Sequence, residues 1–167
     1  IMHYTLLAEG NHADVDALIA ALSAAGVIPF CVFCDSEAAT LQRDRYPWHR
    51  LFSSGELPPD IILNFLLGRL ISTTEDRRVL QDLDVPVIQL IRNFMLSPEE
   101  WLDDPVGISA MTLTHSLVQP EMFGAIDPVM VSGTVRNPGD PPMVRTAVPV
   151  AERIGMVVKR VKRWARL

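Results

Sequence analysis

The sequence predicts an α/β domain of the flavodoxin-like or Rossmann-like class, with a doubly wound, mainly parallel sheet flanked by helices. Residues 60–64 and 85–91 are short apolar runs bounded by Pro, Asp or Asn, as is typical of strands buried on both faces. Residues 72–83 begin with Ser and Thr and continue into an apolar pattern, which predicts a capped helix. A strand, a helix and a strand within about thirty residues form a βαβ unit with parallel strands.

Two strands and a helix are predicted ahead of this unit. Residues 3–8 give the first strand, and residues 27–33 give the second. Asn11 is the predicted N-cap of the helix between them, and Gly26 ends that helix. The apolar face of the helix follows the i, i+3, i+4, i+7 spacing of an amphipathic helix that packs on a sheet, and its members are Val15, Leu18, Ile19 and Leu22.

Caps and breakers divide the rest of the chain. Ser97 followed by Pro98 is typical of a helix start. The closing helix has an apolar face, and we interpret its basic remainder as a solvated surface or a contact with another domain. The remaining predicted elements, in chain order, are a helix at 37–45, a short helix or loop at 65–71, helices at 97–102 and 109–117, a strand or hairpin at 128–132, a possible strand at 143–147 and the closing helix at 150–164.

The two cysteines, Cys31 and Cys34, form a Cys-x-x-Cys pair. A redox pair of this kind normally begins a helix, whose dipole lowers the pKa of the first thiol. This pair falls in the second predicted strand, where the two side chains point to opposite faces. We interpret them as buried, unreactive thiols, since a zinc site would need further ligands. Free thiols favour the reducing cytoplasm.

The composition is that of one globular domain, with 49% apolar and 21% charged residues, which is enough apolar side chain for a core. A net charge of -5 disfavours binding to a nucleic-acid backbone. No apolar run reaches the roughly 18 residues of a membrane span. The sequence opens on Ile1 and enters a strand almost at once, so we expect residues 1–167 to be a single domain excised from a much larger protein.

Known catalytic and nucleotide-binding motifs are absent from the sequence. It has no G-x-G-x-x-G after the first strand, no G-x-x-x-x-G-K-[ST], no G-x-S-x-G and no H-E-x-x-H, so dinucleotide or ATP binding of the familiar kinds is not indicated. The four histidines have no metal-ligand spacing. Glu99 and Glu100 follow Pro98 in the first turn of a helix, where acidic residues complement the dipole, and we interpret them as structural.

A crevice at the carboxyl ends of the strands is the expected ligand site in an open parallel sheet. With a spatial strand order of 2-1-3-4, this crevice lies between the first and third strands. Asn11, His12 and Asn64 are the candidate site residues, and His12 and Asn64 are predicted to share one rim. Two alternatives stay open: His12 as an exposed residue at a helix start, and Asn64 as a capping amide at a strand end.

Several segments together resemble one family, the large subunits of cobaltochelatase and of the related magnesium chelatase. Their order and spacing agree with that family along essentially the whole chain. The segments are Asp16 to Gly26 with Pro29 to Phe33, Asp60 to Asn64, Asp84 to Gln89, Glu99-Glu100-Trp101, Gly107-Ile108-Ser109, Gln119-Pro120-Glu121-Met122-Phe123-Gly124, and Val150 to Leu167.

One position departs from the family pattern. The resemblance carries Pro120, Glu121 and Gly124 onto a Pro-Glu-x-x-Gly signature, but Phe123 stands where the family has an acidic residue. Glu121 is therefore the residue that the resemblance adds to the candidate substrate-binding set, with a role in a turn as its alternative.

The resemblance implies ATP-dependent insertion of a divalent metal into a tetrapyrrole, with cobalt or magnesium as the metal substrate. In such proteins the large subunit binds the macrocycle and separate AAA+ subunits use the ATP. The family's His-Gly-x-x-Glu segment is not within residues 1–167, so this domain is expected to be inactive alone and to bind no cofactor of its own. The rival hypothesis is a flavodoxin-like docking module without catalytic activity.

Overall fold

We describe the fold from a computed structural model of the chain. The structure describes residues 1–34, 51–52, 54–55, 58–66, 78–141 and 144–165. In chain order the elements are β1 (Met2–His3), α1 (Tyr4–Ala8), α2 (Ala13–Ala24), β2 (Phe33–Cys34), β3 (Ile62–Asn64), α3 (Arg78–Leu83), β4 (Val87–Arg92), α4 (Pro98–Asp103), α5 (Ala110–Leu113), a π-helix (Thr114–Val118), α6 (Gln119–Met122), β5 (Ala125–Val135), β6 (Thr146–Pro149) and α7 (Ala151–Trp164).

The strands form a mainly parallel sheet. In the larger part of the sheet, β3, β4 and β5 are neighbours and run parallel, and β6 forms its edge, antiparallel to β5. β1 pairs with β2 in parallel. Two backbone hydrogen bonds join the two parts: the N-terminal amine of Ile1 donates to the Leu63 carbonyl at 2.7 Å, and the Phe65 N–H donates to the Ile1 carbonyl at 2.8 Å. The spatial order is thus 2-1-3-4, the order on which the expected crevice depends, continued by β5 and β6.

Helices cover both faces of the sheet, which confirms the predicted α/β class. On one face, α2 and α7 pack on alternate residues of β4 and β5, and the buried members include Leu18, Ile88, Val131 and Val157. On the other face a smaller cluster contains Ile62, Leu66, Val87, Phe123 and Ala125, with Leu80 and Leu83 of α3 against it. All six residues of β4 are buried, because this strand has neighbours on both edges and helices on both faces.

The first two predicted strands are shorter than expected. Of the strand predicted over residues 3–8, only His3 pairs, together with Met2, and the chain then turns into α1. The Leu-Leu-Ala run at residues 6–8 contains good helix formers, and among residues 3–8 only Thr5 is β-branched. The predicted strand at 27–33 is wrong up to residue 32, since β2 contains only Phe33 and Cys34.

A π-helix occupies part of the predicted helix at 109–117. Ser109 caps α5 by accepting from the Thr112 N–H, and the next turn widens so that the Gln119 N–H reaches the Thr114 carbonyl. The cause lies in Pro120. A proline has no N–H, so it cannot donate to the carbonyls of Ser116 and His115, four and five residues earlier. Residues 119–122, for which no helix was predicted, continue as α6.

The later elements follow the prediction with shifted ends. Ser97 and Glu100 form a reciprocal capping box on α4, with Pro98 in its first turn, as the sequence indicates. β5 is longer than the predicted 128–132, and β6 begins three residues after the predicted 143. The predicted helix at 37–45 lies outside the described residues, as do residues 67–71 of the predicted 65–71 segment and residues 72–77 of the βαβ helix.

Candidate functional site

A buried ion pair occupies the carboxyl ends of the central strands. Arg92 ends β4, and Asp14 lies in the first turn of α2. The Arg92 Nε donates to Asp14 Oδ2 at 2.9 Å and its Nη2 donates to Asp14 Oδ1 at 2.6 Å, with side-chain exposures of 2% and 0%. The Ser132 hydroxyl, on β5, donates to the same carboxylate at 2.5 Å. A charge-assisted pair with two parallel bonds fixes both side chains in one orientation.

Asn11 connects this network to the edge strand. Its Nδ2 donates to the Arg145 carbonyl, and its Oδ1 accepts from the Ala147 N–H, both at 2.8 Å. Its own carbonyl accepts from Arg92 Nη2 at 3.1 Å. The predicted N-cap role is wrong, since His12 is the N-cap residue of α2 and makes no side-chain cap bond. Both polar atoms of the Asn11 side-chain amide instead form hydrogen bonds with the backbone at β6, as a neighbouring strand would.

Asn64 is placed at the carboxyl end of β3, inside the protein. Its Nδ2 donates to Gln89 Oε1 at 2.6 Å, and its Oδ1 accepts from the Leu66 N–H at 3.2 Å. Gln89 donates in turn to the carbonyls of Leu66 and Leu90. Asn64 is 0% exposed, so in this structure its amide holds the chain that leaves β3 and presents no surface to a ligand.

His12 lies at the same carboxyl edge as Asn64, but nearer the surface. Its Nδ1 is 2.9 Å from Asp16 Oδ2, and the two side chains are 32% and 63% exposed. The pair is one turn apart on α2 and faces solvent, where such contacts add little stability. Of the three candidates at this edge, His12 is the one whose ring a ligand can reach.

Glu121 lies at the opposite edge of the sheet. It belongs to α6, which leads into the amino end of β5, whereas His12 lies beyond the carboxyl ends of the strands. Its side chain is exposed, and no hydrogen bond or ion pair involves its carboxylate within the described ranges. Phe123, the position that departs from the signature, is 7% exposed and belongs to the smaller apolar cluster. The structure therefore does not bring the four candidate residues together.

The buried pair of Arg92 and Asp14 is not among the residues predicted from the sequence. A signal was present in the sequence, because Arg92 directly follows the apolar run 87–91 of a central strand. A charge in that position is buried and needs a partner. The partner's identity was not visible, since 78 residues separate the two.

Two features are absent from the described parts of the chain, a cluster of metal ligands and a membrane-spanning helix. Among those residues, no group of three His, Cys, Asp or Glu side chains is arranged to hold a metal ion. No described helix is both long and apolar enough to cross a bilayer. Cys31 precedes β2 rather than lying within it, and it is half-buried.

The reactivity of Cys31 is expected to be low at neutral pH. Burial raises the pKa of the Cys31 thiol above its ordinary value of 9.0, although the nearby N-terminal ammonium opposes part of this effect. The folded protein favours the neutral thiol, so the stability from this residue is complete below pH 9 and is lost as the pH rises through the raised pKa.

Alkylation with iodoacetamide tests this prediction in a Cys34→Ala background. We expect Cys31 to react more slowly than reduced glutathione at pH 8, because the thiolate is the nucleophile. The rate should still be rising above pH 9, where an exposed thiol approaches its plateau. In urea the difference should vanish. A folded-state rate equal to that of glutathione would contradict the prediction.

Fold and site together define a class of protein: a doubly wound α/β domain whose polar residues at the strand ends are largely bound to each other. A family model described as CobN/Magnesium Chelatase matches residues 1–167. The chain belongs to this CobN/magnesium chelatase family, and the resemblance found in the sequence is confirmed.

Three proteins illustrate the similarity. An uncharacterized protein of Methanocaldococcus jannaschii is 32% identical over 117 residues, which is 65% of this chain and 9% of that protein. The aerobic cobaltochelatase subunit CobN of a Sinorhizobium species is 33% identical over 128 residues, which is 72% of this chain and 9% of that subunit. The catalytic subunit of cobaltochelatase from Mycobacterium tuberculosis has the same fold, with a TM-score of 0.75 and 22% identity over 98% of this chain and 14% of that one.

The chain therefore spans less than a tenth of the length of the curated relatives that it matches. The magnesium-chelatase subunit ChlH of rice is similar over a shorter stretch, 31% identical over 90 residues.

Proposed function

We propose that this chain is a domain of the large, tetrapyrrole-binding subunit of an ATP-dependent metal chelatase. In this proposal it contributes a wall of the macrocycle cavity, while other domains supply the metal-insertion site and separate AAA+ subunits hydrolyse ATP. The domain alone inserts no metal. The proposal builds on the family match over residues 1–167.

One structural observation indicates which surface of the domain would contact the macrocycle. Eight of the fourteen large apolar side chains that are exposed among the described residues lie on the connection between β4 and β5, and exposed apolar patches mark interaction sites. Methionine, whose flexible side chain is frequent at adaptable binding surfaces, accounts for three of them. These residues are Phe94, Met95, Leu102, Val106, Met111, Leu113, Val118 and Met122.

The identity of the metal rests on the relatives. The similarity to the CobN subunit extends over 128 residues and that to the ChlH subunit over 90, at nearly equal identity. We therefore favour cobalt, and a corrin-type macrocycle, over magnesium and a porphyrin. A cytoplasmic location is part of the same proposal.

Quenching of the tryptophan fluorescence tests macrocycle binding, because Trp101, one of three tryptophans in the chain, lies on α4 within the exposed stretch. The chain is titrated with a metal-free corrinoid and, separately, with a metal-free porphyrin. We expect saturable quenching, tighter for the corrinoid. The variant Leu102→Asp/Val106→Asp places two charges where both side chains are largely exposed, so it should fold normally and weaken binding at least about tenfold, as expected for burial of unpaired charge.

Ile28→Asp is the matched control, since Ile28 is 95% exposed and lies outside the stretch. It should leave the quenching unchanged. If neither macrocycle quenches the fluorescence, or if Ile28→Asp weakens binding as much as the double variant does, the docking module without catalytic activity becomes the better interpretation.

A further inference from the structure

One nitrogen of the Arg92 guanidinium group has no hydrogen-bond partner in the described structure. Nε and Nη2 are committed to Asp14 and to the Asn11 carbonyl, whereas Nη1 is buried and has no hydrogen-bond partner within the described structure. An arginine cannot lose its proton in a protein, so this donor stays a donor. An unsatisfied buried donor is costly and rare in native proteins.

A small cavity of about 10 Å³ has Arg92 in its wall. It is large enough for a single oxygen-sized atom. Arg92 and Ser116 are the polar side chains in its wall, and the rest of the wall is apolar, with Leu66 and Leu90 among its residues. Ser116 is itself buried, 3% exposed, and belongs to the π-helix, a distortion that recurs at functional sites.

The charge of the site selects the kind of atom that fits. Asp14 already neutralises Arg92, and the pair is sealed from water at 0% and 2% exposure. A second carboxylate would be an excess buried charge, which is expensive. A carbonyl oxygen is uncharged and has two lone pairs, one for Nη1 and one for the Ser116 hydroxyl. It brings no hydrogen to the apolar wall, whereas a water molecule that accepts from Nη1 and donates to the Ser116 hydroxyl leaves one hydrogen without a partner.

Phe94 covers the site. Its ring centroid lies 5.9 Å from Arg92 Cζ, and the side chain is 40% exposed. It follows β4 in a segment that is neither helix nor strand, so its side chain can swing outwards without disturbing an element. We propose that this cavity binds the carbonyl oxygen of an uncharged amide, which displaces Phe94 and accepts from Arg92 Nη1 and Ser116. This inference does not depend on the proposed chelatase function.

Acetamide and acetate test the proposal, because they have nearly the same shape and differ in charge. The readout is the Arg92 Nε–H signal in ¹⁵N-resolved NMR spectra of the full 167-residue chain, which the Asp14 hydrogen bond protects from exchange. We expect a saturable shift with acetamide and a much smaller one with acetate at equal concentration. The presence of the protected Nε–H signal also shows that each protein tested is folded.

Two variants should move the affinity in opposite directions. Ser116→Ala removes one hydrogen-bond donor and should weaken acetamide binding about fivefold, the loss typical of one neutral hydrogen bond. Phe94→Ala removes the cover and should tighten binding about threefold, because no displacement is needed. Leu7→Ala changes an exposed residue outside the wall of that cavity and should have no effect. An equal response to acetate, no response to either probe, or an unchanged affinity in Ser116→Ala would each overturn the proposal.

Discussion

Replacing Asp14 by alanine is expected to lower the free energy of unfolding by about 3–5 kcal/mol, the usual cost of removing one partner of a buried ion pair. The Arg92 charge would remain at the end of β4 without its carboxylate, and the Ser132 hydroxyl would lose its acceptor. Urea unfolding, followed by circular dichroism, measures the change.

Asp16→Ala is the matched control for this prediction. Asp16 carries the same charge on the same helix, but its side chain is 63% exposed and pairs only with His12 within the described residues, so its removal should change stability by less than about 0.5 kcal/mol. A double variant, Asp14→Leu/Arg92→Met, should recover much of the loss, because an apolar pair leaves no buried charge. Equal effects of Asp14→Ala and Asp16→Ala would contradict the assigned burial.

The second large effect is expected at Gly133, near the carboxyl end of β5. An added Cβ would lie 2.7 Å from both the Leu96 carbonyl oxygen and the Pro98 nitrogen. Both are backbone atoms, and the Thr134 N–H bonds to that same carbonyl at 2.9 Å, so the segment has no easy way to move. Gly133→Ala should therefore destabilise the domain by about 2–3 kcal/mol, in the range found for overpacked cores.

Gly155→Ala should have the opposite sign. Gly155 lies within α7, and an added Cβ there meets no described atom within 4 Å. Alanine is the better helix former by about 0.5–1 kcal/mol, so this variant should be the more stable protein in the same urea experiment. Destabilisation of similar size by both substitutions would mean that the close approach at Gly133 is not the cause.

Local patterns were sufficient to predict the centre of the fold. The apolar run of β3, that of β4 and the capping residues of α4 are each a pattern of neighbouring residues. Each of these elements is therefore determined locally in the sequence. The strand order 2-1-3-4 is one of the few that parallel winding allows.

The features that could not be predicted depend mainly on contacts between residues far apart in the sequence. Asn11 has a good N-cap pattern, but its amide binds the backbone at Arg145 and Ala147, and no local rule identifies a partner so distant. The same holds for Asn64, whose partner Gln89 lies on the next strand. The π-helix had a local cause in Pro120, yet a proline usually predicts a helix end rather than a widened turn.

The contacts of α2, and of Asn11 just before it, also determine when the domain can form during synthesis. Asp14 pairs with residues 78 and 118 positions later, and Asn11 with one 136 positions later. Contacts of such separation close late and slow folding. The amino-terminal segment, with the apolar face of α2, must therefore wait on the ribosome until nearly the whole domain has emerged. A chaperone that shields this segment should raise the yield of folded protein, and a slow codon stretch after β6 should matter more than one before it.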